Sequence, residues 1–210
     1  GFRLSLRQSK EEQALEEDAL RLLDALITAI ESEKLQRREN LWYAPNQQPP
    51  YTGLAKVMYD NGQIHVLTHY KNGKPDGLVT KWYESGQKES EGNLKNGKTE
   101  GFWAYWHKNG KKSIESNFKG GKPHGLSIAW YENGQKKLRV NFKDGRLDGL
   151  WTGWYENGKK RGERNYKKGR TDGFWISYYL NGNTEKSEIH KDGKLNGLKT
   201  EWYENGQKKL

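Results

Sequence analysis

Proton transfer and metal binding call first for histidine, and the chain has five: His65, His69, His107, His124 and His190. His65 and His69 lie four residues apart. On a strand that spacing puts both on one side of the pleat but roughly 13 Å from each other, too far to share a metal ion. His107, His124 and His190 occupy places that tyrosine, aspartate or another aromatic residue fills elsewhere in the sequence, and they read as surface substitutions. Glu84, Glu132, Glu156 and Glu204 each precede an Asn-Gly or Ser-Gly pair, so they form a repeated exposed row rather than an acid–base pair. The absence of cysteine removes thiolate nucleophiles, disulfides and Cys-ligated metals. No glycine-rich phosphate loop occurs, because the glycines follow a regular period. The sequence therefore predicts no catalytic residue, no cofactor and no metal site.

What is left is aromatic and basic. The 210 residues include 9 Trp, 12 Tyr and 5 Phe, and the formal net charge is +10. Trp103, Trp151 and Trp175 share one slot of the pattern that other copies fill with Ala, Val, Ser or Lys, so tryptophan is optional there. With Tyr105, Tyr83, Tyr131, Tyr155 and Tyr179 they make an aromatic band interleaved with lysine, the candidate binding face. The competing reading is that the sheet curls, both faces pack, and these tryptophans are core. Residues 1–52 carry 7 basic and 9 acidic side chains, which leaves 30 basic and 18 acidic for the rest. A basic body points to acidic partners, but the lysines alternate with acids and read first as a solvated face.

The elements that must position these residues follow from a repeat. Gly53, Gly77, Gly101, Gly125, Gly149, Gly173 and Gly197 are spaced by 24 residues without exception. Read from Gly125, the unit is GLSIAWYENGQKKLRVNFKDGRLD. Counting the glycine as position 0, position 1 is Leu or Phe, position 5 is Trp in five copies, and position 6 is Tyr except at His107. Positions 8 and 9 are Asn-Gly, or Ser85-Gly86 once, which predicts a tight two-residue turn. The invariant glycine at position 20 predicts a second, longer loop. Each unit is then strand, turn, strand, loop. Positions 1, 3 and 5 would form the packed face, with Trp82, Trp106, Trp130, Trp154 and Trp202 and the glycines Gly77, Gly101, Gly125, Gly149, Gly173 and Gly197 as structural core. Asn93, Asn117, Asn141 and Asn165 at position 16 predict a side-chain ladder. A single hairpin is marginal in water, so stacked neighbours must bury its surface. Thirteen or fourteen strands would span on the order of 60 Å.

The pattern YxNGQKxxxxNYKNGKxDGxWxxWYENG resembles the MORN-variant repeat of many bacterial proteins, including a family labelled as antitoxins of a toxin–antitoxin system. The resemblance runs from Tyr51 to Leu210. It implies an elongated antiparallel array of stacked hairpins, no cofactor and a role in protein–protein or surface interaction. It also implies a bacterial cell, whether the protein stays in the cytoplasm or is exported with its targeting segment absent from this chain. The eukaryotic MORN repeat differs, with a Gly-x-Gly core in its second strand that is missing here, so its membrane binding is not carried over.

Ahead of the array, Ser9 and Glu12 form a capping box, and Leu15, Ala19, Leu22, Leu23, Leu26, Ile27 and Ile30 make an apolar stripe. They predict a helix over Lys10–Glu39 within an N-terminal segment 1–40. A proline-rich connector follows at 41–52, and then the array at 53–210, six full repeats and a partial seventh. The helix would cap the open sheet edge or pair with another helix. The array ends within a hairpin, which implies truncation or a partner at that edge. No apolar run approaches the roughly 20 residues of a transmembrane helix. The function expected is a non-catalytic, mainly β scaffold for a protein partner or for self-association. Polysaccharide or cell-envelope binding and an antitoxin role are the alternatives. Nucleic acid is disfavoured as a partner, because every repeat carries acids that oppose phosphate.

Overall fold

The computed structural model describes residues 10–209, with side chains from Glu17 onward. The capping box and Leu15 lie outside the described side chains. Sixteen strands form one sheet, and along the array each pairs antiparallel with its neighbours in sequence. Mainly β, with one N-terminal helix, is therefore the architecture, as the 24-residue period predicts.

The hairpins alternate between two connections, and the sequence reading assigns them the wrong way round. At the position 19–20 dipeptide, Lys71 pairs directly with Lys74 across Asn72 and Gly73, whose φ values are 49° and 74°. Two successive left-handed residues define the tight hairpin turn whose twist matches that of the strands. At positions 8–9 only the glycine is left-handed, as at Gly62 with φ 82°. There the Gly62 amide donates to the Tyr59 carbonyl and the Tyr59 amide to the Gln63 carbonyl, which makes a three-residue loop with a bulge. Asn61 serves that loop by accepting from the Gln63 amide at 2.9 Å. An Asn-Gly pair suits either turn, so the dipeptide alone does not choose.

The period-defining glycine opens its strand at Gly53 and Gly149 but not in every copy. Gly77, Gly101, Gly125 and Gly173 each lie inside a nine-residue strand, as Gly77 does in Lys74–Trp82, and not at its start. The φ of this glycine is positive in all seven copies, from 69° at Gly101 to 152° at Gly53. The register with the preceding strand shifts there, between Pro123 and Ser127 for example. A side chain at this kink would be strained in every repeat, which explains why the position never varies.

The N-terminal helix α1 spans Lys10–Thr28 and stops well short of Glu39. Ile30–Glu31 then adds to the free edge of the array, parallel to Ala55–Lys56. Gln36–Arg38 and Leu41–Tyr43 pair as a small hairpin that turns at Glu39, φ 55°. An unpaired strand edge competes with helix continuation for the same backbone groups, and here the edge wins. α1 itself lies against the first hairpins, where Leu22 and Ala25 border a groove with Leu67, Leu78 and Trp82. The segment 41–52 is more than a connector. The Gly73 amide donates to the Tyr51 carbonyl and the Asn72 amide to Thr52 Oγ1, so Tyr51 and Thr52 act as the tail of a preceding repeat.

Candidate interaction surface

Three ladders of hydrogen bonds run along the array and fix one repeat to the next. The position 6 tyrosines donate across the repeat boundary to the position 5 carbonyl: Tyr59 to Trp82, Tyr83 to Trp106, Tyr131 to Trp154, Tyr155 to Tyr178 and Tyr179 to Trp202, all at 2.7–2.8 Å. His107, which replaces the tyrosine once, reaches the Trp130 carbonyl with Nε2 at 3.0 Å. The asparagine ladder runs at position 8, where Asn109, Asn133 and Asn181 donate to Glu132, Glu156 and Glu204 carbonyls at 2.9 Å. Among the described residues the one such bond at position 16 is from Asn117 to the Leu126 carbonyl, at 3.4 Å. The third ladder uses position 23, where Asp76, Glu100 and Asp148 accept the position 19 amide of the following repeat. His124 takes that slot once, 3.4 Å from the Asp144 amide.

Among the candidate residues these contacts divide the tyrosines from the tryptophans. Tyr83, Tyr131, Tyr155 and Tyr179 commit their hydroxyls to the ladder. Burial raises the Tyr83 hydroxyl above its ordinary value, with nearby Glu89 adding to it. Trp103 is 7% exposed and donates Nε1–H to the Asn93 carbonyl at 3.0 Å. Its indole lies flat over Gly92, where a Cβ would overlap the ring. Tyr105 stacks beside it at 6.1 Å. Trp151 lies over Gly153 in the same way. Trp103 is therefore buried within the sheet. On the other face, Trp82 is buried, while Trp106, Trp130, Trp154 and Trp202 are half-buried.

Trp151 and Trp175 are half-buried, and both belong to a cluster that the sequence does not announce. Cross-strand pairing sets Arg164 opposite Trp151 and Glu188 opposite Trp175. The Arg164 guanidinium then sits 4.8 Å from one indole and 4.1 Å from the other, and the Lys186 ammonium 4.5 Å from the Trp175 ring. Each contact of this kind contributes about 0.5–2 kcal/mol, more as it is desolvated. Glu188, 7% exposed, accepts from Lys186 at 3.3 Å and bonds His190 Nε2 at 2.9 Å. The other ring nitrogen of His190 is 3.1 Å from Thr171 Oγ1. Burial works against the Glu188 charge, but the bonds from His190 and Lys186 hold its carboxyl below the usual range. His190 is thus no surface substitution: it is 9% exposed and carries the chain from hydroxyl to carboxylate. Arg164 Nε, Trp175 Nε1 and Ser177 Oγ are buried without a hydrogen-bond partner. They border an open cavity of about 360 Å³ shared with Lys186, Glu201 and Lys209. With Glu185 also in the lining, three cations and two carboxylates surround the Trp175 indole, a mixed-charge, aromatic-floored concavity with unpaired donors at Arg164 and Trp175. No cluster of three or more metal-ligating side chains occurs among the described residues.

Comparison with known proteins agrees with the repeat. The family described as MORN repeat variant matches at residues 51–72, 75–96, 123–144 and 147–168. No curated protein matches the chain. Among solved structures, the crystal structure titled "GtfA/B complex bound to UDP and GlcNAc" shares 13% identity at a TM-score of 0.22, covering 72% of this chain. The chain spans 37% of the length of that one, and so low a TM-score carries no argument.

Proposed function

We propose that this MORN-repeat array is a non-catalytic scaffold that binds a protein partner, with the Trp151–Arg164–Trp175–Lys186 cluster as its anchoring contact. The observation that carries the reading is that the array is one long sheet whose large side chains stay partly open. Apart from the N-terminal elements at one end, no second layer covers it among the described residues. The repeat-to-repeat ladders hold the backbone rigid, and a rigid surface loses little entropy on binding. Arginine and tryptophan at the centre of a concave patch are the residue types that dominate binding energy at interfaces. Sugar stacking is less well served, because Arg164 and Lys186 already occupy faces of the indoles. Neutralisation of a toxin would be one instance of such binding.

The test is affinity capture from the source cell with the intact chain as bait. A stoichiometric protein partner is expected. Trp151→Ala with Trp175→Ala should weaken its capture by about 2 kcal/mol or more, and the distant Tyr83→Phe should not. A bait that retains only polysaccharide, or capture indifferent to both tryptophans, would refute the reading.

A further inference from the structure

We infer that the tight-turn edge of the array is a binding strip for an extended acidic polypeptide carrying about one carboxylate every third residue. The inference rests on the scaffold reading above and names the partner's chemistry.

The strip begins with cross-strand pairs of like charge at every tight turn: Lys71 with Lys74, Lys95 with Lys98, Lys119 with Lys122, Lys143 with Arg146, Lys167 with Arg170 and Lys191 with Lys194. Like charges directly opposite each other destabilise a sheet, yet all six turns keep them. All twelve side chains are exposed. Among the described residues only Lys191 of these twelve is in an ion pair, with Asp172 at 3.2 Å. The position 11 lysines behave differently, since Lys88, Lys112 and Lys160 each pair with a glutamate three residues on. A lysine that serves only solubility would find such a partner as readily at either edge.

Four of the six acids at this edge are engaged, Asp172 with Lys191, while Asp144 and Asp192 are exposed. Asp76, Glu100 and Asp148 hold the amide of the next turn. At position 21 the stems of Lys98, Lys122, Arg146 and Arg170 lie beside the turn glycine of the following repeat, within 3.6–3.8 Å of where its Cβ would stand, although nothing comes within 4 Å at Gly97. The repeat spacing sets successive cations in register, and concavities of about 430 and 440 Å³ open between neighbouring turns.

Charge density decides the class of partner. Positions 18–23 of the six turns hold thirteen Lys and Arg and six Asp and Glu, a net of seven, or about one positive charge per repeat. Strands about 4.8 Å apart make a repeat about 10 Å long, and an extended peptide rises about 3.3 Å per residue, so one carboxylate every third residue keeps step. Each strand of a nucleic-acid duplex brings a phosphate about every 3.4 Å along the axis, three times the density. It also wants stacking platforms, and positions 18–23 contain no aromatic residue but His124.

The test uses the intact chain and fluorescence anisotropy with three labelled probes of similar length. These are a peptide of Asp-Gly-Ser triplets about 18 residues long, a peptide of the same composition with its aspartates in one block, and an oligothymidylate. The triplet peptide should bind with an affinity that falls as salt rises. Lys95→Gln, Lys98→Gln, Lys119→Gln and Lys122→Gln together should weaken it by about tenfold or more, as loss of several additive weak contacts requires. Lys88→Gln, Lys112→Gln, Lys136→Gln and Lys160→Gln together, which remove the same four charges, should leave it within about twofold, a control for net charge. No binding, equal loss from both sets, equal affinity for the blocked peptide, or equal or tighter oligothymidylate binding would each overturn the inference. If cellular capture of a partner survives the four-lysine variant intact, the strip is refuted while the scaffold reading stands.

Discussion

At the scale of single residues, hydrogen bonds and close contacts, not exposure alone, separate structure from function in this chain. The position 6 tyrosines are spaced as evenly as a binding comb, yet their hydroxyls close the boundary between repeats. Tyr131→Phe removes only the bond to the Trp154 carbonyl and should cost about 0.5–1.5 kcal/mol, read by urea denaturation. An unchanged midpoint would show that the ladder is incidental. Gly92 makes a sharper case. Gly92→Ala places a methyl inside the Trp103 ring, and overpacking of this kind costs about 1–3 kcal/mol. Trp103→Ala combined with Gly92→Ala should lose less than the two single variants summed, since the clash disappears with the ring. Glu188 supplies a pH signature. Its carboxyl titrates below the usual range when folded, so its contribution is fully present above the unfolded value. That contribution is lost as pH falls through the folded value. Wild type should therefore melt above Glu188→Gln at neutral pH, and the two curves should converge below about pH 4.

At the scale of elements, the two hairpin connections look interchangeable in sequence and differ in backbone. Asp144 holds φ 50° in a tight turn, whereas Asn133, at the three-residue loop, has no positive φ and works through its side chain. Asp144→Val should accordingly cost about 1–2 kcal/mol in left-handed strain, measurable by thermal melting. Asn133→Val loses two side-chain hydrogen bonds without that strain. Asp144→Gly should relieve the strain, and failure to recover stability would contradict the turn assignment. The helix ends where a sheet edge becomes available, which no local propensity can reveal. Its Leu20, Leu23 and Ile27 remain exposed, at 58%, 54% and 72%.

At the scale of the whole molecule, each repeat touches chiefly its neighbours, so stability should be nearly additive along the array. Deleting residues 125–148 removes one full period and joins His124 directly to Gly149, which keeps every remaining position in register. The shortened chain should still fold, with a lower melting temperature and a maximum dimension smaller by about 10 Å in solution scattering. Collapse to an unfolded chain would show that the sheet depends on a unique central contact instead of a repeated one.

Much of this was legible in the residues alone. A strict 24-residue glycine period with alternating aromatic and polar positions admits one kind of answer, a stack of antiparallel hairpins, because side-chain direction on a strand depends only on parity and the turns are written in glycine and asparagine. Three things needed the tertiary structure. Which glycine pair makes the tight turn depends on backbone twist across two strands. Whether an indole is core or surface depends on its cross-strand neighbour, a glycine beneath Trp103 and an arginine beside Trp175. The meeting of Arg164, Trp175, Lys186, Glu188 and His190 depends on register between hairpins. Each is set by atoms distant in the chain, and distance in space is what a one-dimensional pattern does not carry.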